Sequence, residues 1–143
     1  MIRIIAGGKK SNGWVLDACS EYEKRLKKPF DIKWECYEED KLAKILEKWD
    51  FSYRDFVILT DERGKNISSP DFSELLNRKF VDGKNIVIII GGAYGVSEEA
   101  RAGADFVWSF SNLVFPHMMM RAMLSEQIYR AQEISNGGKY HHE

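Results

Sequence analysis

Apolar residues recur along this chain in two alternating rhythms. Short apolar runs at Ile2-Arg3-Ile4-Ile5-Ala6, Phe56-Val57-Ile58-Leu59, Asn85 to Ile90 and Phe106-Val107-Trp108 predict strands, and Ile32 to Tyr37 alternates as a strand does. Between them the spacing turns helical. Val15, Ala18, Cys19, Tyr22 and Leu26 predict a helix from Trp14 to Lys28, stopped by Pro29. Leu42, Ile45, Leu46 and Trp49 mark a short amphipathic helix, and Asp61-Glu62-Arg63-Gly64 reads as a turn. Ser69 as N-cap with Pro70 in the first turn opens a helix that runs to about Lys79, with Phe72, Leu75 and Leu76 inward. Ser97 caps a short helix with Glu98 and Glu99 in its first turn, and a last helix runs from Pro116 to about Ser135.

Strand and helix therefore alternate five times, the pattern of an α/β fold with a mostly parallel sheet covered by helices on both faces. The unbroken Val/Ile run before Gly91 suits a strand buried on both sides. At 143 residues, with no repeat, linker or low-complexity tract, the chain is expected to form a single domain, 1–143. That length supports a core without disulfide or metal staples.

Composition narrows the function classes. The chain is 44% hydrophobic and 30% charged, as expected of a folded protein and not of a disordered one. A net charge of -1 gives no global pull toward nucleic acid, so a polyanion partner needs a local patch. The best candidate for phosphate contact is Lys24-Arg25-Leu26-Lys27-Lys28 on the first helix, a run that in most proteins is simply a solvated face. Cys19 and Cys36 form no CxxC motif or Cys/His cluster, so neither a disulfide scaffold nor a metal site is expected. No apolar run approaches the ~20 residues of a membrane span, and the first residues lack the features of a signal peptide. The expectation is a cytoplasmic protein without a membrane partner.

Three places can carry chemistry. Ile90-Gly91-Gly92-Ala93-Tyr94-Gly95 follows the strongest strand, where backbone can approach a ligand, although a tight turn explains the glycines equally well. Its spacing is not that of a dinucleotide fingerprint. Ser109 to His117 forms a polar and apolar loop whose main chain can bind an adenine edge or a carboxylate; an ordinary connection is the plainer reading. The last helix carries Arg121, Glu126, Gln127, Tyr129 and Arg130 on a scaffold of Met118, Met119, Ala122, Met123, Ile128, Ala131 and Ile134. These apolar positions cover more than one narrow stripe, as on a helix buried against its own sheet and a second subunit, although a core methionine stripe is the commoner origin. The tail, Gly137 to Glu143, carries Tyr140, His141 and His142.

Together these segments resemble the RlmH family of SPOUT-class methyltransferases. The resemblance covers nearly the whole chain: Met1–Gly8, Glu21-Tyr22-Glu23-Lys24-Arg25-Leu26, Gly64-Lys65 with Ser68-Ser69 and Phe72, and Ile90-Gly91-Gly92 with Gly95. Its most specific part is Phe115-Pro116-His117, Arg121, Leu124, Glu126-Gln127-Ile128-Tyr129-Arg130-Ala131 and Tyr140-His141. The chain departs from the family at Thr60, usually leucine, at Val114, usually threonine, and at Lys139, usually proline.

The resemblance implies a carboxyl-terminal trefoil knot, a homodimer, and S-adenosylmethionine bound by Thr60, Gly92, Ser111, Asn112, Leu113, Val114, Phe115 and Pro116. The implied reaction methylates N3 of a pseudouridine in large-subunit ribosomal RNA, with the assembled ribosome as substrate. His117, Arg121, Tyr140 and His141 are the implied catalytic set. Two other readings stay open from the residues alone: a non-catalytic ribosome- or RNA-binding module of the same fold, and a small nucleotide-binding enzyme using Gly91–Gly95.

Overall fold

Long β-branched runs that cannot face water on either side require a sheet with two covered faces. The computed structural model, which describes residues 1–8, 13–92 and 95–142, has that form. In chain order the elements are β1 (Ile2–Gly7), α1 (Gly13–Glu23), β2 (Ile32–Tyr37), α2 (Glu39–Lys48), β3 (Asp55–Lys65), α3 (Ser69–Val81), β4 (Asn85–Ile90), α4 (Glu98–Gly103), β5 (Phe106–Trp108) and α5 (His117–Ser135). The five strands pair in the order β2-β1-β4-β3-β5, every pair parallel.

Alternation along each strand sorts the core into two layers. Ile2, Ile4, Ala6, Ile58, Ile86, Ile88 and Ile90 pack with Phe72 and Leu76 of α3 and with Leu124, Ile128 and Ala131 of α5. Ile5, Val57, Leu59, Val87 and Ile89 turn to the other face, where Leu42, Leu46 and Trp49 cover them. Cys19 is buried and Cys36 half-buried, both as free thiols.

Three sequence expectations need correction. The first helix stops at Glu23, not Lys28. After it the chain turns, with the Arg25 and Leu26 amides donating to the Tyr22 and Glu23 carbonyls. The next polar groups are claimed by α5: the Lys27 amide donates to Gln132 Oε1 at 2.7 Å and Gln132 Nε2 donates to the Arg25 carbonyl at 3.0 Å. Lys24–Lys28 therefore lies on a turn and not on a helix.

The third strand does not end at Leu59 but runs to Lys65, because Thr60 and Lys65 both pair with Trp108 and residues 61–64 bulge out between them. Gly64 permits this return: a Cβ there would stand 2.6 Å from the Val107 carbonyl. Finally, the α3 cap is Ser68, whose side chain accepts from the Asp71 amide at 3.1 Å. Ser69 instead donates its hydroxyl to Gln127 Oε1 on α5 at 2.7 Å.

Candidate active site

Parallel strands put all their carboxyl ends on one edge, and adjacent register decides which loops meet there. Thr60 pairs with Ile90 and with Trp108, so the chain leaving β3, β4 and β5 emerges from three neighbouring strands. The result is a cleft of about 600 Å³. Thr60, Gly92, Ser111, Leu113, Val114, Phe115 and Pro116 all line it, together with His117. Asn112 is exposed and lies outside the lining. Ala93 and Tyr94 of the glycine loop lie outside the described residues.

Each wall has a local cause. Trp108 is 4% exposed and stacks on Phe72 with centroids 4.3 Å apart, while Phe110 meets its edge at 4.5 Å. These rings make a rigid apolar floor. Ser111 Oγ accepts from the Leu113 amide at 3.1 Å, and Ser109 Oγ donates to the Ser111 carbonyl at 2.8 Å. Two serines thereby shape the loop from within. Asn66 Nδ2 fastens it to the sheet by donating to the Ser109 carbonyl at 2.8 Å. The Leu113 and Val114 side chains remain 68% and 77% exposed at the lip. Thr60 donates its hydroxyl to the Ile89 carbonyl at 3.0 Å, satisfying a polar group that leucine would lack.

Gly92 is enclosed from two sides. Glu39 at the start of α2 holds its carboxylate where a Gly92 side chain would begin, with Oε2 1.6 Å from the position of a Cβ. On the other side a Cβ on Gly7 would come within 3.0 Å of the Gly92 Cα. The position needs glycine because of close approach, the reason the sequence suggests for this loop.

The mouth carries charge that motif reading did not single out. Asp61, Glu62 and Arg63 line the cleft from the bulge in β3. Burial by itself raises the Asp61 carboxyl, but hydrogen bonds from the Arg63 side chain and amide, and the charges of Arg63 and Arg101, outweigh it. Asp61 is thus held below the usual aspartate range. Its position in the bulge directly after the Thr60–Trp108 pair is the signal that marks it as a cleft residue; as three polar residues with a glycine, the segment looks like a simple turn.

The four expected catalytic residues separate. His117 opens α5 and faces the cleft. Arg121, one turn on, is only 3% exposed and donates to the Gly7 carbonyl at 2.7 Å and to that of Gly8. Tyr140 and His141 lie in the tail beyond α5, bonded to its Glu126 and Arg130, and do not line the cleft. Tyr140 donates to Glu126 Oε1 at 3.2 Å, and Arg130 bonds that carboxylate at 2.7 Å and His141 Nδ1 at 2.9 Å. Burial first, then the Glu126 charge, pushes the Tyr140 phenol up to about 12. It therefore stays protonated and donating. Beside this cluster, Tyr22, Ser69, Trp108, Phe110, Met123, Glu126 and Gln127 line a second cleft of about 510 Å³.

A family model described as "Predicted SPOUT methyltransferase" matches residues 1–141. The chain is similar to ribosomal RNA large subunit methyltransferase H of Desulfitobacterium hafniense, 38% identical over 156 aligned residues covering 98% of each protein. It is 39% identical to the protein of the same description in Caldicellulosiruptor bescii, over 153 aligned residues and 99% of each. Among solved structures, a probable methylase family protein from Haemophilus influenzae superposes with a TM-score of 0.57 at 15% identity. The match covers 99% of this chain and 70% of that one, a likeness of fold.

Proposed function

The chain belongs to the SPOUT methyltransferase family, and from that premise we propose that it transfers a methyl group from S-adenosylmethionine to N3 of a pseudouridine in large-subunit ribosomal RNA. The observation that carries the proposal is the meeting of Thr60, Gly92 and the Ser111–Pro116 loop in one cleft, with His117 on its wall. Family membership supports, as part of the same proposal, a trefoil threading of the carboxyl-terminal part and a cytoplasmic site of action.

The residues present fit the donor. The cleft falls within the ~300–1,000 Å³ usual for small-molecule sites. Gly92 lines the cleft with backbone alone, its side-chain position being filled by the Glu39 carboxylate, and Val96, Leu113, Phe115 and Pro116 offer an apolar wall. Asp61 is already paired with Arg63 and Arg101, which leaves Glu62 as the carboxylate at the mouth favourable to a cationic ligand. When bound, S-adenosylmethionine supplies a methyl carbon on a good leaving group, so alignment is the main demand on the protein.

This chain's residues meet that demand in three ways. The serine-shaped loop and the Trp108 floor are held by bonds and ring contacts within this chain, not by a ligand. The apolar lip of Leu113 and Val114, exposed in the single chain, excludes water from the reacting atoms once substrate or a second copy covers it. His117 is the titratable group placed to take or share the N3 proton that must leave as the ring nitrogen reacts.

Tyr140 and His141 bind their own α5, so on this reading they reach a cleft only as part of a second copy. The homodimer is supported by the apolar surface left on Trp14, Leu16, Leu113, Val114 and Met119, which are 39 to 68% exposed or, for Val114, 77%. Lys27 and Lys28, exposed on the turn after α1, supply phosphate contacts. A near-neutral chain with so small a basic patch needs the assembled ribosome to present its target.

The test is mass mapping of ribosomal RNA after incubating unmodified ribosomes with the protein and S-adenosylmethionine. One added methyl on a pseudouridine is expected on ribosomes, falling steeply with added salt. Equal labelling of protein-free transcript would overturn the ribosome requirement, and no methylation of either substrate would overturn the activity.

A further inference from the structure

Arg121 is a buried cation that does not line the donor cleft. Its Nη2 donates to the carbonyls of Gly7 and Gly8, the last turn of chain at the end of β1. Those two residues lie directly against two residues of the cleft lining, Gly92 and His117. A Cβ on Gly7 would stand 3.0 Å from the Gly92 Cα. Gly8 has φ +89°, and a Cβ there would lie 3.3 Å from His117 Nε2 and 3.6 Å from Arg121 Nη2. His117 and Arg121 are four residues apart, so both project from one face of α5 onto the same glycine. Ser125 Oγ donates to the Arg121 carbonyl at 3.0 Å, bonding one turn of α5 to the next.

We infer that Arg121 is a positioning residue for methyl transfer. By gripping the Gly7 and Gly8 carbonyls it sets the end of β1 as a fixed abutment, against which Gly92 of the donor cleft and the His117 ring are both placed. The role rests on the reading of the cleft given above, and it goes further by assigning Arg121 no contact with donor or base. A planar guanidinium presents several donors in a rigid fork and can hold two successive carbonyls; a lysine ammonium is a point charge on a flexible stem. Reaction rate is steep in placement, a misplacement of ~1 Å costing about a hundredfold.

The experiment uses the full chain with Arg121→Lys, Gly8→Ala and the double variant. It compares thermal midpoint, kcat, KM for ribosomes, calorimetric affinity for S-adenosylhomocysteine, and the His117 ring carbon signal, assigned with His117→Gln. Arg121→Lys is expected to stay folded, to lose about tenfold or more in kcat with ribosome KM within about twofold, and to move the His117 signal. The double variant should lose no more than the worse single variant, since both act on one abutment. A folded Arg121→Lys with unmoved His117 signal overturns the inference, as does a loss confined to ribosome KM, or losses that add. If Arg121→Lys does not fold, Arg121→Gln takes its place with the same outcomes. The ring signal reads without turnover: an inactive wild type would sink the methyltransferase reading while the moved or unmoved signal still decides this one.

Discussion

His117 and Asp61 show how position, more than residue type, assigns a role in this chain. A lone histidine in a helix's first turn is uninformative as sequence, yet here it is a titratable side chain on the wall of the cleft. His117→Gln is expected to lower kcat about a hundredfold while S-adenosylhomocysteine affinity, read by calorimetry, stays within about threefold. Asp61 gives a pH prediction. Its pKa is lowered in the fold, so its contribution to stability is present above the ordinary aspartate value and is lost as pH falls through the lower folded value. Urea midpoints of Asp61→Asn should lie below wild type at neutral pH and should fall less on acidification below about pH 4, the ordinary aspartate value. Equal acid slopes for the two proteins would refute this. The role proposed for Arg121 was hidden in the same way: the family resemblance placed it in the catalytic set, and it is buried against two glycine carbonyls outside the cleft lining.

At the scale of elements, local rules succeeded where a segment's own side chains set its boundary. Ser97 caps α4 as its position before two glutamates requires, and the Val/Ile run of β4 occupies the centre of the sheet. They failed where a distant segment intervened. Leu26 continues the helical spacing of α1, but Gln132 of α5 binds the Lys27 amide and the Arg25 carbonyl, so the chain leaves the helix at Glu23. The buried Gln132 amide is therefore a junction between α5 and the end of α1. Gln132→Ala leaves those groups unpaired and should cost about 2–3 kcal/mol, measured from the denaturant midpoint at unchanged m-value. Residues 61–64 carry turn chemistry, yet Lys65 returns to Trp108 because Gly64 fits against the β5 backbone; no spacing within the segment reports that partner.

For the whole molecule, the cleft and the tail sit on different stretches of α5, and the proposed function requires a second copy to bring them together. Light scattering after size exclusion should give twice the 16.6 kDa chain mass at micromolar concentration. Charge in the apolar lip, as in Leu113→Glu with Val114→Glu, should shift that mass toward the monomer; a monomer in the wild type would refute the arrangement. By itself the sequence determined the α/β class, the parallel sheet and the loops after β4 and β5 as site candidates. Those follow from periodicity and from strand ends, which neighbouring residues encode. The all-parallel order β2-β1-β4-β3-β5, the charged bulge at Asp61–Arg63 and the separation of His117 from Tyr140 and His141 were decided by tertiary structure. Each depends on which strands lie side by side and on contacts across up to 114 positions of chain, as between Arg121 and Gly7. Such contacts arise only when the packed core fixes distances that no local pattern contains.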